Sequence, residues 1–352
     1  MHAVHLHGPK DLRLSEVPDL DRSPAPGETL IRVGAVGICG SDLHLYQTGQ
    51  IGNIGQAAPF IPGHEFMGTV VAVGDVSLDG NHQPLEIGQR VAVDPQVPCL
   101  ACRMCEEGHP NLCPHHTFHG LHPTDGALRE KMMVPTRNCF PIPDSISDGG
   151  GAVLETLGVA IHAMDLAHTQ LSQSVVIIGC GPVGLLMVRL AHLVGLDPII
   201  AIDPIQSRVE FAWSWGATHT IVGKAKDSID EVLAISTGRG TETVIEAAWA
   251  GPSVDASVRM AATGGRVVLV GVPEGDGCQL PHSVARRKGL NIIFSRRMKH
   301  TYPRAIRLAA GPKPKVNVDQ MITHVFPLAE TTKAFEMNAN YEDGVVKAVV
   351  RP

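Results

Sequence analysis

Two rhythms of apolar and polar positions divide the chain. Between about residues 157 and 295, strand-length apolar runs alternate with helical stretches. Ser174 to Ile178 is a β-branched run that reads as a buried strand, and the apolar segment ending near Gly195 is long enough for a helix. A second short run, Ile199 to Ile202, ends in Asp203, and "TVIEAA" and "RVVLVGV" continue the alternation. Such a series predicts a doubly wound parallel sheet. Residues 1–156 carry instead many short β-like runs broken by Gly and Pro, as a barrel-like domain requires. Near the C-terminus, "GVVKAVV" predicts one more strand, added to that first domain. "SDGGGAV", from Ser147, reads as a stretch open to flexibility but too close to Glu155 to be a free linker.

Composition adds limits. At 352 residues the chain exceeds one typical core, so two domains are expected. A formal charge of -6 leaves no basic excess, which argues against a nucleic-acid partner. The opening "MHAVHLHGPKDLRLSEV" has charges and Pro9 where an export signal needs an apolar run. The most apolar stretch, "SVVIIGCGPVGLLMVRLAHLVGL", is interrupted by glycines, Pro182, Arg189 and His192, so no membrane span is expected. A cytoplasmic, reducing compartment follows as the expectation, and there close-set cysteines are more often metal ligands than disulfides.

"CLACRMCEEGHPNLC" holds four of the chain's 8 cysteines. Cys99, Cys102, Cys105 and Cys113 follow C-x2-C-x2-C-x7-C, a spacing that lets a short loop wrap four thiolates around one tetrahedral zinc. Four sulfurs would fill the coordination sphere, so the metal expected here is structural. Free surface thiols and an iron–sulfur cluster are the competing readings, though nothing else in the chain suggests electron transfer.

The chemistry is sought elsewhere. Gly179, Gly181 and Gly184 fall in G-x-G-x-x-G register directly after the Ser174–Ile178 run. Strand, glycines, helix, second strand and Asp203 are the layout of a dinucleotide-binding unit. The glycines admit the pyrophosphate to the helix N-terminus, and Asp203 can accept hydrogen bonds from the adenosine ribose. A carboxylate there repels a 2′-phosphate, and Pro204 stands where an NADP site would often have a base, so NAD is favoured. Arg208 keeps NADP open, its other reading being a solvated arginine of the first helical turn. Far upstream, Cys39 and His64, with Glu65 and Glu155 as nearby-in-type carboxylates, offer the mixed donor set of a catalytic zinc.

Together these motifs resemble those of the zinc-dependent medium-chain dehydrogenases/reductases. The match runs nearly from end to end and rests on "GICGSDLH", "GHEFMG", the four-cysteine loop, "GCGPVG", "VIEAAWAG" and "GGRVVLVGVP". The resemblance implies an α/β chain in two domains. A GroES-like β-barrel catalytic domain, 1–156 and 296–352, would hold both metals, and a doubly wound Rossmann domain, 157–295, would bind NAD, with the active site in the cleft between them. Carried over by position, Cys39 and His64 are catalytic-zinc ligands. Glu65 and Glu155 are the carboxylate candidates, one bound or each in turn during turnover. Ser41 would receive the substrate proton, His44 would pass it towards solvent, and Asp42 would orient a ligand from behind. Gly179, Gly181, Pro182, Val183, Gly184, Asp203, Arg208, Gly271 and Val272 correspond to cofactor positions. The implied complement is two zinc ions per chain, with NAD rather than NADP.

Glu155 sits where alcohol dehydrogenases commonly have a second cysteine, and a carboxylate there is typical of the sorbitol dehydrogenase branch. Arg297, in "RRMKHTYPRAIRL", and Phe118 fall at that branch's substrate-pocket positions. The resemblance thus implies oxidation of a polyol of the sorbitol, xylitol or iditol type to a ketone by a homo-oligomer, tetramer or dimer. Threonine 3-dehydrogenase or 2,3-butanediol dehydrogenase activity would use the same machinery, and a catalytically silent protein that binds NAD and zinc is the reading from another class. Thr156 departs from the branch, which usually has proline after the glutamate. Of the histidines at 115, 116, 119 and 122, most are expected to face solvent, with one near Phe118 a candidate substrate contact.

Overall fold

The alternating region folds as a six-stranded parallel sheet. Counted along the chain its strands are Val175–Ile178, Ile199–Asp203, His219–Val222, Thr241–Glu246, Ala261–Leu269 and Asn291–Phe294. Across the sheet they run third, second, first, fourth, fifth, sixth. This is the Rossmann strand order, in which the reversal beside the first strand leaves a crevice at the strands' carboxyl ends. Strands covered on both faces need continuous apolar runs, and Val176, Ile178, Ile200, Ile202, Val244 and Val267 are all buried in one core. Helix Pro182–Val194 begins with its proline at the first turn and ends on Gly195, which is left-handed at φ 82°.

The computed structural model describes residues 1–55, 59–248, 251–273, 275 and 277–352. Trp249 and Ala250 of "VIEAAWAG" lie outside the described residues. The chain divides into two units, Met1–Glu155 with Lys299–Pro352, and Thr156–Met298. The division falls inside helix Asp148–Ala167. The first unit is built on a seven-stranded, mostly antiparallel sheet. Glu28–Gly37 is its central strand, pairing with Glu65–Val73, Lys131–Pro135 and the late strand Lys347–Arg351. That late strand also runs parallel to Ile322–Pro327. Ile31, Val36, Leu45, Phe66 and Phe335 lie in its core.

The three glycines of "SDGGGAV" are helical, within the first turn of Asp148–Ala167. Glycine is a poor helix former, and packing explains its presence. A Cβ on Gly150 would meet the Asp319 carboxylate and the Val318 side chain, and one on Gly151 would come within 2.8 Å of Ile142 Cδ1 and 3.0 Å of Met67 Cγ. The helix start lies too close to its neighbours for side chains there. No helix of the described residues is long and apolar enough to cross a membrane.

Candidate active site

Cys39 lies between the end of strand Glu28–Gly37 and helix Gly40–Thr48, where it is the N-cap residue. Asp42, at the third helical position, accepts the Cys39 backbone N–H through Oδ2 at 3.0 Å. Its other oxygen, Oδ1, faces His64 Nδ1 at 3.3 Å. One buried carboxylate therefore fixes the helix start that carries Cys39 and the edge of the His64 ring. With Nδ1 turned to Asp42, Nε2 is the nitrogen left for a metal. Burial alone would lower the His64 pKa, but Asp42 and Cys39 overcome it and hold it well above the ordinary value.

Glu65 follows at the start of strand Glu65–Val73, directly across from Gly37. A Cβ on Gly37 would collide with the Glu65 carboxylate, so glycine opposite makes its room. The carboxylate is fully buried and paired with Lys347, whose Nζ lies 2.8 and 2.7 Å from its two oxygens. Lys347 also donates to the Ile38 carbonyl at 3.1 Å. A buried anion needs such a partner, and each Glu65 oxygen keeps a lone pair for a cation. Ligand atoms of Cys39, His64 and Glu65 all lie within 4.8 Å of one another. Soft sulfur, imidazole and carboxylate in that span fit zinc with a coordination position left open.

The four-cysteine loop fits zinc more completely. Its Sγ atoms lie 3.6 Å apart for Cys102 and Cys105, 3.8 Å for Cys102 and Cys113, and 3.5 Å for Cys113 and Cys99. Zinc–sulfur bonds of about 2.3 Å in a tetrahedron set the sulfurs about 3.8 Å apart. A helical turn, Arg103–Glu106, and a 3-10 turn, Pro110–Leu112, bring the four together.

In the second unit Gly179 is left-handed, at φ 93°, and a Cβ there would come within 2.9 Å of Ala248 Cβ. A Cβ on Gly184 would strike the Gly179 carbonyl, whereas one on Gly181 meets nothing nearer than Arg208 Nη1 at 4.0 Å. The loop is closed where helix meets strand and open where a pyrophosphate would approach. Asp203 is buried at the strand end, its oxygens accepting the Cys180 and Ile205 N–H groups, each at 2.8 Å. These donors fix the carboxylate beside the glycine loop, and its remaining lone pairs suit ribose hydroxyls. Gly271 and Val272 follow strand Ala261–Leu269, with the Gly271 N–H bound to the Glu246 carbonyl at 3.1 Å.

Comparison with known proteins agrees with this geometry. Residues 25–144 match the alcohol dehydrogenase GroES-like domain, and residues 182–311 match the zinc-binding dehydrogenase family. The chain is 35% identical over 355 residues to the sorbitol dehydrogenase of Bacillus subtilis (strain 168), covering 100% of this chain and 97% of that protein. The chain belongs to the zinc-dependent medium-chain dehydrogenase family. Solved structures of similar proteins include L-idonate 5-dehydrogenase from Escherichia coli, with TM-score 0.88 and 27% identity over 100% of this chain and 98% of that one. A zinc-binding dehydrogenase from Sinorhizobium meliloti 1021 bound to NADP has TM-score 0.86 and 31% identity, covering 100% and 99%. This dehydrogenase is an oxidoreductase of the alcohol dehydrogenase type.

Ser41 and His44 are half-buried, three residues apart on helix Gly40–Thr48 and so on one helix face. Phe118 is buried, its ring centroid 5.5 Å from that of His64. Glu155 lies outside the three-ligand cluster but within electrostatic reach of His64 and Glu65. Burial above all, then repulsion from Glu65 and Asp94, pushes its carboxyl up to about 8, against the pull of His64 and Lys347. A bound cation would draw it back down. Arg297 belongs to the second unit and is half-buried, with φ 55°. Thr156 keeps the helix N–H that a proline would lack. Of the histidines near Phe118, His119 is buried edge-on to Phe66. Lys347 and Asp94 were not foreseen. A lysine inside the apolar run "GVVKAVV" was the available signal for the first, because buried lysine implies an anionic partner.

Proposed function

We propose that this dehydrogenase oxidises a secondary hydroxyl of a polyol, of the sorbitol, xylitol or iditol type, to a ketone and passes the hydride to NAD. The observation that carries it is the meeting of Cys39, His64 and Glu65 within 4.8 Å. Phe118 beside His64, and a relative named sorbitol dehydrogenase, support the substrate class. We assign the metal-holding unit, Met1–Glu155 with Lys299–Pro352, to catalysis, and Thr156–Met298 to the cofactor.

Zinc, when bound, supplies a Lewis acid that eases loss of a hydroxyl proton, and NAD supplies the hydride acceptor. Cys39 and His64 hold the ion with Glu65, and Glu155 is the alternate carboxylate. Ser41 takes the substrate's hydroxyl proton while giving its own to His44, which returns it to solvent. Phe118 supplies an apolar wall and Arg297 a polar contact for neighbouring hydroxyls. Cys99, Cys102, Cys105 and Cys113 hold a second, structural zinc. Asp203 favours NAD over NADP by repelling a 2′-phosphate, with Arg208 beside the pyrophosphate loop. Eight free cysteines among the described residues suit a cytoplasmic location. We assign a homo-oligomeric state, dimer or tetramer, to be read by light scattering.

The test is NADH formation at 340 nm by zinc-loaded protein with NAD or NADP and a panel of sorbitol, xylitol, galactitol, 2,3-butanediol and threonine. Polyol turnover with NAD, abolished in Cys39→Ala, supports the reading. Turnover of threonine or butanediol alone would keep the machinery and overturn the roles given to Arg297 and Phe118. Silence across the panel at full metal loading would overturn the activity.

A further inference from the structure

The chain turns sharply just before it re-enters the first unit. Arg297 and His300 both hold left-handed backbone, at φ 55° and 50°. Residues with a Cβ seldom keep that conformation unless their surroundings hold it, and such strain gathers at functional sites. The anchors are visible on the chain. Met298, between the two, is buried. Lys299 Nζ lies 3.0 Å from His109 Nδ1. Tyr302 is buried, stacks on Phe140 at 4.8 Å between ring centroids, and donates its hydroxyl to the Val93 carbonyl at 2.8 Å.

His109 belongs to the four-cysteine loop, between Cys105 and Cys113. Its N–H donates to the Met104 carbonyl at 2.7 Å, so the fold of that loop sets where the imidazole stands. The Lys299 ammonium can only donate, which makes Nδ1 the acceptor and leaves the imidazole proton on Nε2. The chemistry closes on one partner pair 190 residues apart.

We propose that His109 and Lys299 are positioning residues for substrate recognition. Through their hydrogen bond the cysteine loop tethers the 297–300 turn and fixes the backbone from which Arg297, two residues before Lys299, projects. The loop then tunes substrate affinity as well as stability. The kinetic part of this inference rests on the polyol activity proposed above; the structural part does not.

The test compares Lys299→Met and His109→Leu with the conservative Lys299→Arg and His109→Gln, all as full-length, zinc-loaded protein. Hydrogen–deuterium exchange at amides 296–301 should quicken in the first pair and return towards normal in the second. For the polyol, KM should rise about five-fold, the worth of one net hydrogen bond, with kcat and the KM for NAD unchanged. A zinc count equal to that of the unsubstituted enzyme separates a loosened turn from a lost loop, and Lys299→Met decides alone if His109→Leu sheds metal. Unchanged exchange in Lys299→Met overturns the tether. Faster exchange with an unchanged KM overturns its part in recognition. If the unsubstituted enzyme turns over no polyol, the functional reading falls instead, and the exchange measurement still decides the tether.

Discussion

Asp42 divides one carboxylate between two tasks, since Oδ2 caps the helix at Cys39 and Oδ1 faces His64. Asp42→Asn keeps the size but turns one acceptor into a donor, so either the cap or the histidine loses its partner. Partners of this kind behind a metal ligand are worth about 10–100-fold in metal affinity. Competition with a chelator should show a zinc affinity lower by that order, and an unchanged affinity would confine Asp42 to the helix. His119 gives a prediction in pH. Burial holds its imidazole down at about 4, against an ordinary 6.5. The unfolded chain therefore takes up this proton first, so the contribution of His119 is complete above pH 6.5 and is lost as pH falls towards 4. In His119→Asn, whose amide can replace Nδ1 as donor to the Asp125 carbonyl, the urea midpoint should fall less steeply across that window. An equal slope would place the acid sensitivity in other groups. Spacing made the grouping of the four cysteines legible, whereas Cys39 and His64 mean little by type alone and stood out only through the resemblance carried by "GICGSDLH" and "GHEFMG". The pairing of Lys299 with His109 had no sequence signal, because each residue alone reads as a solvated polar side chain.

Helix Asp148–Ala167 shows where element-scale reading stops. Its apolar positions read clearly from Ala152 onwards, but three glycines lowered the helical signal over the first turn. Their purpose lies in residues outside the helix, namely Met67, Ile142, Asp319 and Ile322. The three positions are not equivalent. On Gly149 a new Cβ meets mainly the movable tip of the Ile322 side chain, while on Gly151 it presses on both Ile142 and Met67. Gly149→Ala should therefore be neutral or stabilising by up to about 1 kcal/mol, from helix propensity. Gly151→Ala should lose about 1–3 kcal/mol to overpacking, visible as a lower thermal midpoint. Equal effects at both sites would mean that propensity, not packing, rules the turn. The first two strands of the second unit were legible within a residue, because both-face burial writes itself as an unbroken apolar run. Val175–Ile178 against an expected Ser174–Ile178 is such a case. Ala261–Leu269, by contrast, begins five residues before the expected "RVVLVGV", and the short strands His219–Val222 and Asn291–Phe294 were not read.

Over the whole molecule, alternation of strands and helices leaves few parallel topologies, and right-handed crossovers reduce them further. The antiparallel sheet of the first unit carries no such rule, so the place of Lys347–Arg351 between Glu28–Gly37 and Ile322–Pro327 could not be read from the run alone. That strand matters to the site, since it brings Lys347 to Glu65. The two clusters proposed to hold zinc are thus built differently, and on that proposal they should release metal differently. In the cysteine loop four sulfurs stand at tetrahedral spacing and would close the coordination sphere of a zinc. At Cys39, His64 and Glu65 the protein offers three ligand atoms, and Lys347 competes for the carboxylate. A chelator at neutral pH should first remove the ion held by Cys39, His64 and Glu65, abolishing turnover while the thermal midpoint stays within a few degrees. Slower loss of a loop zinc should then lower the midpoint by more than that, because the bonds that would join four cysteines of one short loop are broken. Zinc release followed by a colorimetric indicator, beside activity and scanning calorimetry on the same samples, separates the phases. Activity and thermal midpoint falling together at one rate would mean that the two clusters are not independent, and that the loop metal supports the site more directly than its tether through Lys299 implies.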